Sequence, residues 1–432
     1  MAAYSTYDAI VIGGGPAGST AAAVLAQKGR KVIVLEREKF PRYHIGESLI
    51  PYTYYPLKRI GMLEQMKQSH FTKKYSVQFV SISGKQSQPF YFFQQLHSEA
   101  ADTWQVLRSE FDQMMLTNAR AKGAEVMEET LVKETIEQNG VVSGVTAVGR
   151  NGVSHEFRAP LTMDATGRDA LTLGRRGWKI RDPRLNKIAV WTYYKGAMRD
   201  LGVDEGATTV AYVPDKGWFW YIPLPGDLLS VGVVAEKDYL YRDTHDLKTI
   251  FHREVAVNKW IEQHLAVGQQ VGEYRVTGEY SYRSRHCAGD GLLLIGDAFA
   301  FLDPVFSSGV FLALRSGEMG ADAADAAISA GDCSASRFRD YGEQLCKGIE
   351  SMRRLVYTFY DHEFRFRTFL TRYPDLKGEM TECLMGNLWL DFDPLFQAVA
   401  EFASVPAPLT HGQPVEKVGE EPAPTNASMT AD

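Results

Sequence analysis

The chain has 432 residues, of which 45% are hydrophobic and 23% are charged, a composition typical of a soluble globular protein with one or two domains. Its formal net charge is -6 and it contains no basic tract, so we do not expect nucleic acid as a partner. No stretch approaches the roughly 18 consecutive apolar residues that span a bilayer, which predicts no integral membrane association.

The N-terminus and the cysteines indicate where the protein works. The first residues lack a basic region followed by an apolar one, so we expect no signal peptide and a cytoplasmic location. The four cysteines have no metal-ligand spacing, which predicts free thiols in a reducing compartment. No cluster of histidines and acidic residues suggests a metal site.

The first 36 residues predict a dinucleotide-binding β-α-β unit. Gly13, Gly15 and Gly18 match the G-x-G-x-x-G pattern, after a β-branched strand and at the start of an alanine-rich helix. The first glycine permits a tight turn, the second lets a pyrophosphate approach the backbone, and the third lets the helix pack on the strand. A second strand ends at Glu36, where a carboxylate that binds a ribose is expected.

The middle of the chain contains two patterns with an ordinary interpretation and a functional one. Lys73 and Lys74 precede an expected edge strand, where adjacent lysines are usually solvated. Arg108 precedes an expected helix over 109–121, where it is either a surface charge or part of a site. Residues 217–223 read GWFWYIP, and strand alternation predicts that Trp218 and Trp220 share one face with Ile222.

Further along, a strand over 291–295 ends in Gly-Asp-Ala at 296–298. A loop from Phe301 to Gly309 then leads into a helix expected to start near Val310. These residues, together with Asp-Ala-Thr-Gly at 164–167, resemble elements of the FAD-binding aromatic hydroxylase superfamily. In that superfamily the aspartate equivalent to Asp297 holds the ribitol chain, and the following loop lies beside the flavin ring.

This resemblance implies an α/β fold. It consists of a Rossmann-like, three-layer FAD-binding domain with a parallel sheet, an inserted antiparallel β-sheet substrate domain and a C-terminal helical region. We expect residues 1–75, 100–185 and 270–335 to form the discontinuous FAD-binding domain. The expected substrate domain is 76–99 with 186–269, the helical region is 336–402, and 403–432 is expected to be a disordered tail.

Two signatures narrow the resemblance to the flavin-dependent halogenases. Trp218-x-Trp220-x-Ile222-Pro223 resembles their WxWxIP motif, and the loop from Phe301 to Gly309 resembles their second signature. The family uses FAD reduced by a separate flavin reductase, together with oxygen and a halide ion, to make hypohalous acid. That acid passes through an internal tunnel to a lysine beside the organic substrate, and the tryptophan pair lies between flavin and substrate.

The resemblance also implies roles for individual residues. Lys74 aligns best with the family lysine, although Ser76-Val77 departs from the usual small pair, and Lys73 is the alternative. The expected catalytic residues are Lys74, Trp218, Trp220 and Ser307. The expected flavin-binding residues are Gly13, Gly15, Ala17, Gly18, Glu36, Arg37, Glu47, Ser48, Arg108, Asp297, Pro304, Ser308, Gly309 and Val310.

Three functions are therefore weighed. The first is halogenation of an electron-rich aromatic, which is a phenol, pyrrole or indole, free or tethered to a carrier protein. The second is a monooxygenase or dehydrogenase on the same scaffold. The third is an FAD oxidoreductase of the geranylgeranyl reductase type, against which the tryptophan pair argues.

Overall fold

The computed structural model describes residues 5–214, 217–278 and 281–416. The N-terminal motif forms the predicted β-α-β unit, with strands Ala9–Ile12 and Val32–Leu35 around helix Pro16–Gln27. Every residue of both strands is buried, as is usual for parallel strands that are covered on both faces. They are neighbours in a six-stranded sheet, in the order Ala288–Gly289, Leu292–Leu294, Leu161–Asp164, Ala9–Ile12, Val32–Leu35, Glu125–Met127.

This sheet is the middle of three layers. All its neighbouring strands are parallel except Ala288–Gly289, which is antiparallel to the next. One face carries helices Pro16–Gln27, Arg108–Ala121 and Ser308–Ser329. The other face packs on a four-stranded sheet, in the order Ser5–Thr6, Ser154–Arg158, Val141–Gly149, Thr130–Gln138. The predicted Rossmann-like α/β fold class is confirmed.

A seven-stranded sheet provides the second large element. Its order is Gln269–Thr277, Lys187–Lys195, Leu228–Glu236, Trp218–Leu224, Thr208–Tyr212, Ser76–Val80, Phe90–Tyr91. It is antiparallel, as predicted, except that Thr208–Tyr212 and Ser76–Val80 run parallel. These two strands come from separate insertions, so no hairpin turn fixes their relative direction. Residues 270–277, which we assigned to the FAD-binding domain, form an outer strand of this sheet.

The tryptophan strand Trp218–Leu224 is buried over its whole length. Trp218, Trp220 and Ile222 belong to the core shared with the FAD-binding layers. Phe219 and Tyr221 point the other way, into a core closed by helices over 247–255 and 259–265. The observed alternation agrees with the prediction, and it turns the tryptophan face toward the FAD-binding layers.

The remaining elements are short except for one long helix. That helix, Arg339–Tyr360, opens the C-terminal region and is followed by Phe366–Arg372, Lys377–Met385 and Asp393–Val399. The other helices are Tyr54–Arg59, Leu63–Gln68, Leu171–Arg175, Lys237–Leu240, Leu247–Val255 and Lys259–Leu265. Small sheets join Thr72–Lys74 to Thr103–Gln105, and Tyr282–Ser284 to Lys179–Arg181 and Ala300–Phe301.

The segment after residue 403 differs from the expected disordered tail. The backbone N–H of Cys287 donates to the Gln413 carbonyl at 3.2 Å, and the N–H of Val415 donates to the Ala288 carbonyl at 2.9 Å. The prediction is wrong for 404–416, because hydrogen bonds to Asp361, to Arg353 and to the edge of the parallel sheet hold this segment on the folded chain. Residues 417–432 lie outside the described part of the chain.

Two predicted absences can be compared with the structure. Within the described residues, no helix is both long and apolar enough to cross a bilayer. The same part of the chain contains no group of three or more histidine, cysteine or acidic side chains that could hold a metal ion.

Gly232 allows the tryptophan face to form, because the Trp220 ring occupies the space that a side chain at 232 would need. It pairs with Trp220 and with Trp191, and a Cβ on Gly232 would lie 2.5 Å from Trp220 ring atoms. Gly232→Ala should therefore displace the indole and lower the free energy of unfolding by about 1–3 kcal/mol in urea titrations. Gly174→Ala is the control, because a Cβ there meets nothing within 4 Å. Equal stability of both variants would contradict this account.

Candidate functional site

The predicted site residues surround one cavity of about 400 Å³. It lies where the strand ends at Ile12 and Leu35 face the inner side of the seven-stranded sheet. All of the predicted site residues line it except Gly18 and Lys74. Those that line it are Gly13, Gly15, Ala17, Glu36, Arg37, Glu47, Ser48, Arg108, Trp218, Trp220, Asp297, Pro304, Ser307, Ser308, Gly309 and Val310.

At one end of the cavity the glycine turn leaves room for a ligand. Gly13 has a φ of +102°, and a Cβ there would lie 2.5 Å from the Ala165 carbonyl oxygen. Gly18 lies outside the cavity, because its Cα packs on Gly13, where a Cβ would meet the carbonyl oxygen at 1.9 Å. These contacts match the turn and packing functions of a dinucleotide fingerprint.

Glu36 and Arg37 occupy different environments at this end. The Glu36 carboxylate is buried and accepts the backbone N–H groups of Gly14 at 2.7 Å and Glu38 at 2.9 Å. The Arg37 side chain is half-exposed and forms ion pairs with Glu38 and Asp169. Glu36 is therefore fixed beside the glycine turn, while the Arg37 side chain lies at the rim of the cavity, paired with Glu38 and Asp169.

At the other end the cavity meets the start of a long helix. Ser307 adopts a left-handed conformation with a φ of +56° and precedes helix Ser308–Ser329. The Ser308 hydroxyl is buried, lines the cavity and has no hydrogen-bond partner within the described structure. First-turn N–H groups of a helix also lack internal partners and favour negative charge. The glycine turn, the orphaned hydroxyl and this helix start together fit FAD.

Arg108 holds the loop beside the cavity in place through hydrogen bonds. Its guanidinium donates two hydrogen bonds to Asp112, at 2.8 and 2.9 Å. Its third nitrogen donates to the carbonyls of Ile45 at 2.7 Å and Gly46 at 3.2 Å. The buried arginine thus fixes the loop that carries Glu47, and it lines the cavity at the same time.

Glu47 is a buried carboxyl group beside the cavity. The Tyr193 hydroxyl donates to it at 2.7 Å and lies 3.0 Å from the Tyr43 hydroxyl. Burial raises the pKa of Glu47 to about 7. Burial also raises the pKa values of Asp297 and Asp303 to about 6. The cavity therefore contains carboxyl groups that carry less negative charge near neutral pH than exposed ones would.

The tryptophan pair forms one wall of the cavity. Trp218 donates from its indole N–H to the Tyr360 hydroxyl at 2.8 Å, and Tyr360 lies 3.0 and 3.1 Å from the two Asp303 carboxyl oxygens. Trp220 donates to the Ser230 hydroxyl at 3.0 Å. Both indoles are therefore held by hydrogen bonds as well as by packing.

The two candidate lysines have different surroundings. Lys74 is only 2% exposed, and its amine donates to the Ser48 hydroxyl at 2.8 Å and the Leu49 carbonyl at 3.0 Å. Burial lowers the pKa of Lys74 to about 7. The Lys73 amine lies over the Trp104 ring, 4.4 Å from its centroid, and is partly exposed. Lys74 is thus the lysine directed inward, behind the cavity wall.

Several cavity residues were not found by sequence reasoning. Thr208 and Trp191 lie on strands whose inner faces became known only from the sheet, and no motif marks them. Asp303 could have been found, because it lies inside the second signature between Phe301 and Gly309 and is an acid in an apolar loop.

Comparison with known proteins identifies the family. A family model described as tryptophan halogenase matches residues 8–102 and 82–373. The chain belongs to the flavin-dependent halogenases. This halogenase is thus an FAD-dependent enzyme of the oxidoreductase type that uses halide, as the signatures predicted.

Relatives in this family match almost the whole chain. A 1H-pyrrole-2-carbonyl-(peptidyl-carrier protein) brominase of Pseudoalteromonas luteoviolacea is 32% identical over 89% of this halogenase and 93% of the relative. The corresponding chlorinase of Pseudomonas fluorescens is 30% identical over 94% and 96%. The structure of the flavin-dependent brominase Bmp2 has a TM-score of 0.84 and 29% identity, over 92% and 98% of the two chains.

The buried Glu47 predicts a pH dependence of stability. Its pKa is about 7 in the folded chain and near 4.5 when unfolded, so the folded state retains the proton to higher pH. Stability from this group is therefore present below pH 4.5 and is lost as the pH rises through 7. Relative to Glu47→Gln, the FAD-free wild type should lose about 3 kcal/mol between pH 4.5 and 8 in urea unfolding.

A matched control separates this effect from general acid sensitivity. Glu134 is an exposed carboxylate on the strand Thr130–Gln138, and Glu134→Gln should follow the wild-type dependence. A Glu47→Gln curve parallel to that of the wild type would mean that Glu47 does not titrate as its burial implies.

Proposed function

We propose that this halogenase transfers bromine or chlorine to a pyrrole-type aromatic ring that is tethered to a carrier protein, and that Lys74 presents the halogen. The observation that carries the proposal is a buried amine behind the tryptophan-lined cavity, with no acidic partner described at hydrogen-bond distance. Similarity over nearly the full length to a pyrrole-carrier brominase and chlorinase supports the substrate class.

The protein supplies two groups of residues to the site, one at the start of the long helix and one on the tryptophan strand. Bound reduced FAD supplies hypohalous acid from oxygen and halide in this family. The helix start at Ser308 and Gly309 favours negative charge beside the flavin position. Trp218 and Trp220, held by Tyr360 and Ser230, form a wall that keeps an organic ring away from the flavin side.

The ionisation of Lys74 suits halogen transfer. Because its pKa is about 7, both the ammonium and the neutral amine are present near neutral pH. The ammonium can hydrogen-bond the oxygen of hypohalous acid, and the amine can accept halogen. Burial keeps competing water away from either species.

The proposal includes a separate flavin reductase and a cytoplasmic setting. The described chain contains one dinucleotide fingerprint, so a diffusing reductase is expected to deliver reduced FAD. The four free cysteines are compatible with a reducing compartment.

Lys74→Ala is the direct test of this function. Purified protein would receive FAD, a flavin reductase, NADH, oxygen and bromide with pyrrole-2-carbonyl carrier protein, free pyrroles, phenols and indoles. We expect brominated product by mass spectrometry from the wild type, and a loss of ~100-fold or more in Lys74→Ala. Hydrogen peroxide formation and FAD binding should persist in the variant.

Lys73→Ala is the matched control, because this neighbour points to the Trp104 ring and should retain activity. Retained bromination in Lys74→Ala with loss in Lys73→Ala would move the role to Lys73. Oxygenated or dehydrogenated product without bromine would instead favour the monooxygenase or dehydrogenase function.

A further inference from the structure

Within the described residues, Lys74 is connected to the cavity through other side chains. Its amine does not line the cavity, whereas Ser48 and Thr208 do. The amine donates to the Ser48 hydroxyl at 2.8 Å, and the Ser48 and Thr208 hydroxyls are 2.9 Å apart. All three side chains are at least 95% buried, so these contacts are shielded from bulk solvent.

A glutamine anchors the far end of this chain of hydroxyls. Gln105 is fully buried, and its amide donates to the Thr208 hydroxyl at 2.8 Å and to the Gly206 carbonyl at 2.9 Å. The Thr208 oxygen can accept from both Gln105 and Ser48 while its own hydrogen points into the cavity. When Lys74 is neutral, the order can reverse, with Thr208 donating to Ser48 and Ser48 to the amine.

We propose that Ser48 and Thr208 form a two-hydroxyl relay that orients the Lys74 amine and carries its proton to and from the cavity. This inference rests on the proposed function, in which Lys74 presents the halogen. Ser48 and Thr208 are positioning residues for Lys74, and Gln105 fixes the relay by occupying one acceptor site on Thr208. The flavin-binding role predicted for Ser48 is compatible with this one, because the same hydroxyl lies at the cavity wall.

The two-hydroxyl relay supplies the proton that halogen transfer needs and then returns a proton to Lys74. As the ring carbon bonds to halogen, the oxygen–halogen bond of hypohalous acid breaks, and the oxygen takes a proton from the Thr208 hydroxyl and leaves as water. Thr208 takes a proton from Ser48, and Ser48 takes one from the Lys74 ammonium. Lys74 is then neutral, and the ring releases its proton to a cavity water, which becomes hydronium. The hydronium gives that proton to Thr208, which passes one to Ser48, and Ser48 passes one to the amine. The net reaction converts the ring C–H and hypohalous acid into the ring C–halogen bond and water, and Lys74 ends as the ammonium that it was at the start.

The pKa of Lys74 depends on the groups that surround its amine. Burial alone accounts for the lowered pKa of Lys74 among the described residues. Its amine faces Ser48, the Leu49 carbonyl and the Phe92 ring, whose centroid is 5.6 Å away. The neighbouring Glu47 is directed to Tyr193, and the Lys73 amine lies over Trp104.

The test uses FAD-bound protein that carries carbon-13 at the lysine Cε positions. Lys74→Met identifies the Lys74 signal, and its chemical shift is followed against pH by NMR. Ser48→Ala removes an acceptor of the charged amine and should lower the midpoint by about one pH unit. Thr208→Val should move the midpoint less, but should reduce bromination ~10-fold or more, with hydrogen peroxide formed instead of product.

Two controls match these changes closely. Thr209→Val, on the same strand, also removes the partner of a buried glutamine, because Gln78 donates to Thr209 at 2.8 Å. Ser76→Ala removes a buried hydroxyl close to Lys74 in the chain, which contacts Asp204 at 3.3 Å. Neither control should alter the Lys74 midpoint or the ratio of product to peroxide.

The outcomes separate this inference from the proposed function. An unchanged midpoint in Ser48→Ala, or normal bromination in a folded, FAD-binding Thr208→Val protein, would overturn the relay. A wild type that brominates no substrate while the Ser48→Ala midpoint still falls would overturn the halogenase proposal and support the link between Ser48 and the amine. Thr208→Val provides the test if Ser48→Ala does not fold.

Discussion

Burial of both faces of the strand Trp218–Leu224 is the constraint on which the site depends. Its inner face is part of the core shared with the FAD-binding layers, and its outer face closes a second core against two helices. A one-residue slip would exchange these faces and bury the wrong side chains on each side, so the register is strongly specified. The tryptophans therefore form a wall of the cavity whose register is fixed by this strand.

Burial reduces the negative charge carried by carboxyl groups that line the cavity. In a chain of net charge -6, carboxyl groups at Glu47, Asp297 and Asp303 face a space that must accept phosphates and halide. Burial raises the pKa values of all three, so each is charged for less of the time near neutral pH. Desolvation thus reduces repulsion of anions at this site.

Sequence reasoning predicted the local structure where it depends on short spacing within one unit of the chain. Gly13, Gly18 and Glu36 were predictable because a turn, a helix contact and a strand end lie within one β-α-β unit. The hydrogen-bonded chain Lys74–Ser48–Thr208 could not be predicted, because it joins segments that are far apart in the sequence. These segments meet through a parallel pair of strands, and no hairpin turn specifies that pairing. The inward direction of Lys74 likewise follows from tertiary packing, since an adjacent pair of lysines has no periodicity that could predict it.

The segment 404–416 has a consequence for handling the protein. Its last part lies along the outer strand of the parallel sheet, where His286 and Gln413 form a parallel bridge and the Val415 N–H donates to the Ala288 carbonyl. It therefore caps backbone groups that would otherwise offer a template for pairing with another chain. A shortened version that stops at 403 would expose this edge and invite self-association, whereas a boundary after 416 would preserve the cap.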